Sequence, residues 1–464
     1  MGGVNSTMEI GKNGLNVYRG ATAVVSQNIA NVSTPGYSRQ RAILETAPST
    51  MLNGFTLGTG VMISNVDRFY DGLLQQQIAG SETTLGYDST RSTVLQQIEP
   101  AFNEISTEGV GAAISSFFAA WQDLTNNPGG TSERQSVLSS AQILTDDFHT
   151  TGKILSDTVS LQNTSLKPMV DSINVTLKDI AKLNGQISTT DLVSGNANEI
   201  RDQRDLLVRE LAKKIGITST ENSDGTTDVK FAGSGEALVT KAAAGSLSLT
   251  ANTVTGLYDV NVTPAGSTTA VTVNPATGSL GATLALRDTI IPGYLKQLDD
   301  LATTLAAEVN SQHMLGYDLN GTQGIALFDP AATTAANFGI NPLMNSTTLI
   351  AASSNNSAAG DNVNAVKIAG LQSQRVMSGN TLTFNGFWNG LVSEVGLDVS
   401  SSKTAVTQDE AFSNQLNSLR DTNSGVSLDQ ELSDLIMYQR SYQACAQVIT
   451  TATAMMDTVL GIIR

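Results

Sequence analysis

Two histidines, one cysteine and 42 carboxylates are the side chains with the most chemistry to offer in this 464-residue chain. His149 and His313 stand far apart, each in a helical pattern with no second histidine beside it, so no metal site is expected. The H-E-x-x-H zinc string, the G-x-S-x-G nucleophile elbow and the phosphate-cradling P-loop are all absent. Asp318-Leu319-Asn320-Gly321 opens like a calcium loop, but the glycine comes too early and no glutamate stands at the twelfth position. An Asn-Gly turn explains it better. Cys445 is alone, which excludes an intramolecular disulfide and a cysteine-based zinc site, and it reads as a small helix-flank residue. The expectation is no catalytic, cofactor-binding or metal-binding residue, no cofactor, and a structural protein rather than an enzyme.

Charge narrows the partners. A net charge of −16 lacks the basic stripe that nucleic acid demands and repels an anionic membrane surface. No run of 18 apolar residues occurs, so no membrane-spanning helix is expected. The first residues show no basic stretch followed by an apolar run, which predicts a chain without a cleaved signal peptide. Its length exceeds what one core normally supports, so two to four domains are expected.

The elements that organise the chain lie at its ends. Steps of four and three from Leu428 give Leu428, Leu432, Leu435, Gln439, Tyr442, Ala446, Ile449, Thr453, Met456, Leu460 and Ile463. Only Gln439 and Thr453 interrupt this apolar stripe, whose narrowness is that of a coiled-coil seam. At the other end, Met8, Leu15, Thr22 and Ile29 recur every seven residues, interleaved with Gly11, Tyr18, Val25 and Val32. The two ends read as halves of one helical hairpin, with everything else inserted between them. The first helix should stop near Asn31, because Ser33, Thr34, Pro35 and Gly36 form a turn that no helix continues through.

These ends also carry motifs. Asn28-Ile29-Ala30-Asn31, then Thr34-Pro35-Gly36-Tyr37 and Arg39, resembles the N-terminal signature of bacterial flagellar rod, hook and hook-associated proteins. The run Gly425 to Glu431, followed by Tyr438-Gln439-Arg440 and Tyr442-Gln443-Ala444, is similar to the matching C-terminal signature. In the interior, Asp202-Gln203-Arg204-Asp205 resembles the segment that distinguishes the hook-associated protein 1 family within that group. By spacing alone, that helix has Ile200, Leu207, Leu211 and Ile215 on one face. Arg201–Asp205, Asp205–Arg209 and Glu210–Lys214 are placed as solvated i,i+4 pairs.

The fold class expected is mainly α with inserted β. Residues 1–35 and 425–464 form a terminal coiled-coil domain, 36–215 and 285–424 a helical-bundle middle domain, and 216–284 a small antiparallel β domain. Pro168 should mark a helix boundary or kink, Asp224-Gly225 a hairpin turn, and Phe384 to Val395 a short apolar helix. The resemblance implies an extracellular junction protein linking flagellar hook to filament, exported by the flagellar type III route. It implies hook protein, hook-associated protein 3 and neighbouring copies in a ring as partners, and a cytoplasmic export chaperone at the C-terminal helix. A hook or distal rod protein is the nearer rival. An exported adhesin or hydrolase is the remoter one, and would need clustered polar groups where the β segment shows only Thr, Ser and Gly.

Overall fold

The computed structural model describes residues 2–52, 55–102, 109–194, 196–358 and 360–463. Helix α1 (Gly2–Ala30) is followed by strands β1 (Gln40–Thr46), β2 (Thr50–Leu52), β3 (Phe55–Leu57) and β4 (Val61–Arg68). Then come α2 (Gly72–Ile98), α3 (Val110–Asn126), α4 (Thr131–Ser194) and α5 (Asn198–Lys214). Strands β5 (Ile217–Glu221), β6 (Thr227–Phe231), β7 (Ala237–Thr240) and β8 (Ala243–Ala244) form one antiparallel sheet in chain order. A second sheet, ordered β11-β10-β9, holds β9 (Ser246–Ala251), β10 (Tyr258–Thr263) and β11 (Val271–Val273). Helices α6 (Gly278–Ala285), α7 (Ile291–His313), α8 (Val363–Gly370), α9 (Phe384–Ser424) and α10 (Leu428–Ile463) complete the chain. The class is mainly α with inserted antiparallel β, and long helices pair at the two ends.

The chain divides into two compact units, one of residues 1–85, 169–274 and 409–464, the other of 86–168 and 275–408. These limits differ from the three-part division read from sequence, because α2, α4 and α9 each contribute to both units. Helix α4 runs through Pro168 unbroken, and the division falls at that proline. Two other expectations need correction. Residues 278–284, assigned to the β domain, are helical: their Leu and Ala run is buried, and Gly278 at φ +70° starts it. The short helix at 384–395 is the start of a 41-residue helix, since no Pro follows Phe384 and Val399 and Leu416 are buried along its polar stretch to Ser424.

The second unit has an aromatic core. Phe117 packs on Phe328 with ring centroids 5.6 Å apart, Phe328 on Phe338 at 4.7 Å, and Phe102 stacks on Trp388 at 5.9 Å. The irregular stretch after α7 is tied to this core by side chains that replace backbone partners. Asn310 accepts from Phe328 N at 2.8 Å and donates to Phe328 O at 2.9 Å. His313 holds Ile325 O through Nδ1 at 2.6 Å, while its Nε2 accepts from Ala351 N at 2.9 Å. Buried Arg134 donates to the carbonyls of Pro128 and Ile350. The Asp318 carboxylate is occupied in the same way, accepting from the amides of Asn320 and Thr322 at 2.8 Å each around Gly321.

In the first unit, α4 secures both sheets through two asparagines. Asn174 exchanges hydrogen bonds with the Leu247 backbone, and fully buried Asn184 does so with Thr227 and donates to Lys241 O. The Asp224-Gly225 turn joins β5 to β6, with Gly225 at φ +77°.

Helices α1 and α10 pair along a stripe that keeps Leu435, Ile449 and Met456 of the expected seam and replaces its other frame by residues one position earlier. Glu431, Tyr438, Cys445 and Ala452 recur every seven residues on the paired face. Glu431 bonds Asn28, Tyr438 packs on Tyr18 with ring centroids 6.2 Å apart, and Ala452 is buried. A Cβ built at Gly14 would stand 2.5 Å from Cys445 Sγ, and one at Gly11 would stand 2.7 Å from Ile449 Cγ1. The helices approach this closely because α1 offers glycines. The small and polar frame of α10 therefore turns inward, and Leu428, Leu432 and Leu460 turn to the flanks. Gly14→Val should force the pair apart at a cost of about 1–3 kcal/mol. Amide exchange should then quicken across both helices, and unchanged protection would refute the close approach.

Candidate assembly site

The residues singled out at the chain ends meet in one buried polar network. Helix α1 delivers Asn28, 1% exposed, at its last turn; the Thr34-Pro35-Gly36 turn then reverses the chain, with Gly36 at φ +80° against Leu206 and the Asp202 carbonyl. Asn28 is the hub. Its Nδ2 donates to Gln40 O at 2.8 Å and to Glu431 Oε2 at 2.9 Å; its Oδ1 accepts from Tyr37 OH at 2.8 Å and Gln40 N at 3.0 Å. All four side-chain positions of the amide are used.

Glu431 is 0% exposed, at the start of α10, and its other oxygen receives Arg39 Nε at 2.5 Å. Arg39 also reaches Asp434 at 3.4 Å, and its backbone N–H donates to Ser424 O at the end of α9. A charge this deep is tolerated only because its oxygens are bonded. From the other side, α5 presents Asp202, which accepts from Ser38 N at 2.8 Å and from Arg68 Nη1 at 3.0 Å. The same Arg68 nitrogen reaches Asp205 at 2.8 Å, and its guanidinium lies 4.0 Å from the Tyr70 ring centroid. Phe69 has Arg39 and Arg41 each 5.1 Å from its ring centroid.

Electrostatics fit this burial. Burial raises Asp202 above the usual carboxylate range, opposed by the Ser38 amide and Arg68. Burial alone would lower Arg68, but Asp205 and Asp202 outweigh it and hold the guanidinium charged. Tyr37 is raised by burial and by Glu199, Asp202 and Glu431, so its hydroxyl stays protonated and donates. Burial and Asp205 push Tyr70 up to about 12.

The solvated-face reading of α5 is therefore corrected. Asp202 is 6% and Arg204 0% exposed, because β4 and the β5–β6 turn cover the polar side of this helix. Arg201 reaches Asp191 rather than Asp205, and Arg204 binds Asp205, Glu221 and Gly225 O. Gln203 alone of the four is exposed. At the other motif positions, Asn31 accepts from the Thr34 hydroxyl, while Ala30, Thr34 and Pro35 are exposed. Sequence reasoning gave no site role to Arg68, Gln40, Glu431 or Asn198, whose Nδ2 donates to Val66 O at 2.8 Å and to Gln40 Oε1 at 3.2 Å. Glu431 left two signals: it closes the motif run from Gly425, and it is a charge in the seven-residue frame shared with Tyr438 and Cys445.

The apolar positions divide. Val25 is buried; Met8, Leu15, Tyr18, Ile29, Leu435, Ala446, Ile449 and Met456 are half-buried. Val32, Leu428, Leu432, Tyr442 and Leu460 are exposed, and the Ile463 side chain lies outside the described ones. With Ile436, Met437, Val448, Met455 and Val459 also exposed, α10 has apolar flanks on either side of the stripe that α1 covers. No helix is long and apolar enough to cross a membrane among the described residues.

Comparison with known proteins gives this geometry a family. Residues 95–328 match the flagellar hook-associated protein FlgK helical domain. Residues 8–37 match the flagella basal body rod protein family, and 421–462 the flagellar basal body rod FlgEFG protein C-terminal family. Asp202 comes from the first of these stretches, Asn28 and Tyr37 from the second, and Glu431 from the third. The chain is 28% identical to flagellar hook-associated protein 1 of Salmonella typhimurium over 563 aligned positions, covering 99% of this chain and 100% of the relative. It is 26% identical to that of Bacillus subtilis, covering 98% of this chain and 97% of the relative. The fold is similar to the solved flagellar hook junction protein FlgK from Burkholderia pseudomallei, with a TM-score of 0.68 at 17% identity over 76% of this chain and 100% of that one. With its helical-domain match spanning half the chain and both terminal matches in place, the chain belongs to the flagellar hook-associated protein FlgK family, a family of structural proteins of the bacterial flagellum.

Proposed function

We propose that this protein is the adaptor joining flagellar hook to filament, and that its paired terminal helices are the element through which it assembles. The observation that carries this reading is the apolar surface left on α10 after α1 has docked. Leu432 is 48%, Ile436 52%, Met437 49% and Leu460 50% exposed. A coiled-coil pair with apolar flanks lacks further helices, and neighbouring copies supply them. The residues proposed for that interface are the outward members of the stripe, Leu428, Leu432, Tyr442 and Leu460, with Met8, Leu15, Ile29, Leu435, Ala446 and Met456 at its edges.

Assembly-coupled ordering follows. The terminal pair has a narrow buried stripe and so belongs to the low-stability end of the molecule until neighbours cover it. Hook protein, hook-associated protein 3 and other copies in a ring are the proposed neighbours, at the extracellular junction. A cytoplasmic export chaperone shielding the α10 flanks before export is the proposed earlier partner. Amide exchange on the free chain and on the chain bound to purified hooks tests this. Protection of 8–30 and 428–460 should rise on binding; equal protection in both states would refute it. Polymerisation of the chain alone into curved tubes would favour the hook-subunit alternative.

A further inference from the structure

Three consecutive residues, Ser38, Arg39 and Gln40, tie the terminal helices to α5. The Arg39 side chain turns to α10, where it meets Glu431 and Asp434, and its backbone N–H holds Ser424 O at 2.8 Å. Gln40 turns the other way. Its Nε2 donates to Glu199 Oε1 and its Oε1 accepts from Asn198 Nδ2, each at 3.2 Å. Neighbouring side chains of an extended chain leave on opposite sides, so two adjacent residues reach both helices. Ser38 adds its backbone N–H to Asp202. Strand β4 fixes the three from beside, since Phe69 N donates to Arg39 O at 2.8 Å and Arg68 binds Asp202 and Asp205.

Helix α5 carries the connection onward. Asp205 also binds Arg204 Nη2 at 2.9 Å, and fully buried Arg204 donates to Gly225 O at 2.6 Å and reaches Glu221 at 3.5 Å. The β5–β6 turn is built around these arginines: a Cβ at Gly225 would stand 2.5 Å from Arg201 Nη2. From Glu431 to this turn, the links are hydrogen bonds and ion pairs among buried or nearly buried groups. Parting such a pair from one side is costly, so its members hold together or rearrange together. At one end of the series stands an element with two discrete states, α10 docked on α1 or undocked.

We propose that Ser38, Arg39 and Gln40 form a relay through which docking of α10 sets the order of the β5–β6 turn. Coupling between two sites is reciprocal, so loosening α5 also favours undocking of α10. The relay is a property of the single chain. Its use, stiffening the turn once neighbours cover the α10 flanks, rests on the assembly reading above.

Amide exchange on the free, full-length chain tests it at a distance. Glu431→Ala should quicken exchange of residues 217–226 by about fivefold or more, although the side-chain partners of Glu431 are Asn28 and Arg39. Asp202→Ala should quicken 428–460 in return. The β9–β11 sheet, secured to α4 through Asn174 instead, should keep its rates in both chains. Should Glu431→Ala fail to fold, Glu431→Gln gives the same pattern with a smaller change. Wild-type exchange at 217–226 in the Glu431 variant, or at 428–460 in the Asp202 variant, would overturn the relay. Equal quickening in the β9–β11 sheet would overturn it too, as general loosening. The free chain carries the test, so failure of the relay leaves the assembly reading standing.

Discussion

Glu431→Ala should undock α10 from α1. The substitution leaves the Arg39 guanidinium and one Asn28 N–H without their buried acceptor, and breaking a buried pair from one side costs about 3–5 kcal/mol. That is a large fraction of what a narrow helix pair holds. Amide exchange should rise across 8–30 and 428–458, while the aromatic unit keeps its protection. Glu431→Gln should fall between the two. Its amide oxygen still accepts from Asn28, but its NH2 then faces the Arg39 Nε–H, donor against donor, and the guanidinium keeps only Asp434 at 3.4 Å. Wild-type exchange in the Glu431→Ala chain would mean that apolar contacts alone hold the ends together.

Acid should loosen the other unit through His313. Burial holds this imidazole down to about 4, with Arg134 pushing the same way, while its bond to Ile325 O and Asp318 act against it. The geometry agrees: Nε2 accepts from Ala351 N, a role the protonated ring lacks. A histidine depressed on folding contributes stability in full above its unfolded value of about 6.5, and loses it as pH falls from there to the folded value. The full shift corresponds to about 3 kcal/mol below pH 4. At roughly 2–4 °C per kcal/mol for a unit of this size, the melting point should fall by about 6–12 °C. His313→Gln should be less stable at pH 7 and lose that part of the acid slope. An identical slope in both chains would assign the acid sensitivity to carboxylates instead.

The sequence made the two terminal helices, the turn between them and the β1 strand, and the change of period at Ile217 legible, because Gly, Pro and periodicity act locally. It misplaced the face of α10. Counting apolar residues selects the stripe of Leu428, Leu432 and Leu435; its Ile449 does meet Gly11, but Gly14 takes Cys445 and Asn28 takes Glu431, from a frame that the count passes over. The α5 polar face failed for a related reason: an i,i+4 pattern does not show that β4 will cover Asp202 and bring Arg68 to it. Such partners are set by tertiary packing of residues far apart in the chain, and a periodic pattern carries no trace of them. The motif residues Asn28, Tyr37, Arg39, Asp202 and Glu431 were visible as motifs, but that Asn28 joins Tyr37 and Glu431, and Glu431 joins Arg39, was not.

The central claim is that the two chain ends pair in one register, and a disulfide reads that register directly. The Cβ of residue 14 would lie 3.4 Å from the Cβ of Cys445, just under the roughly 3.5–4.5 Å of a disulfide, so a slight parting of the helices seats the bond. Oxidised Gly14→Cys, digested and mapped, should yield one linkage, within a single chain, between the peptide containing position 14 and the peptide containing Cys445. A thiol that stays free, or links only chain to chain, would contradict the pairing on which the assembly account stands.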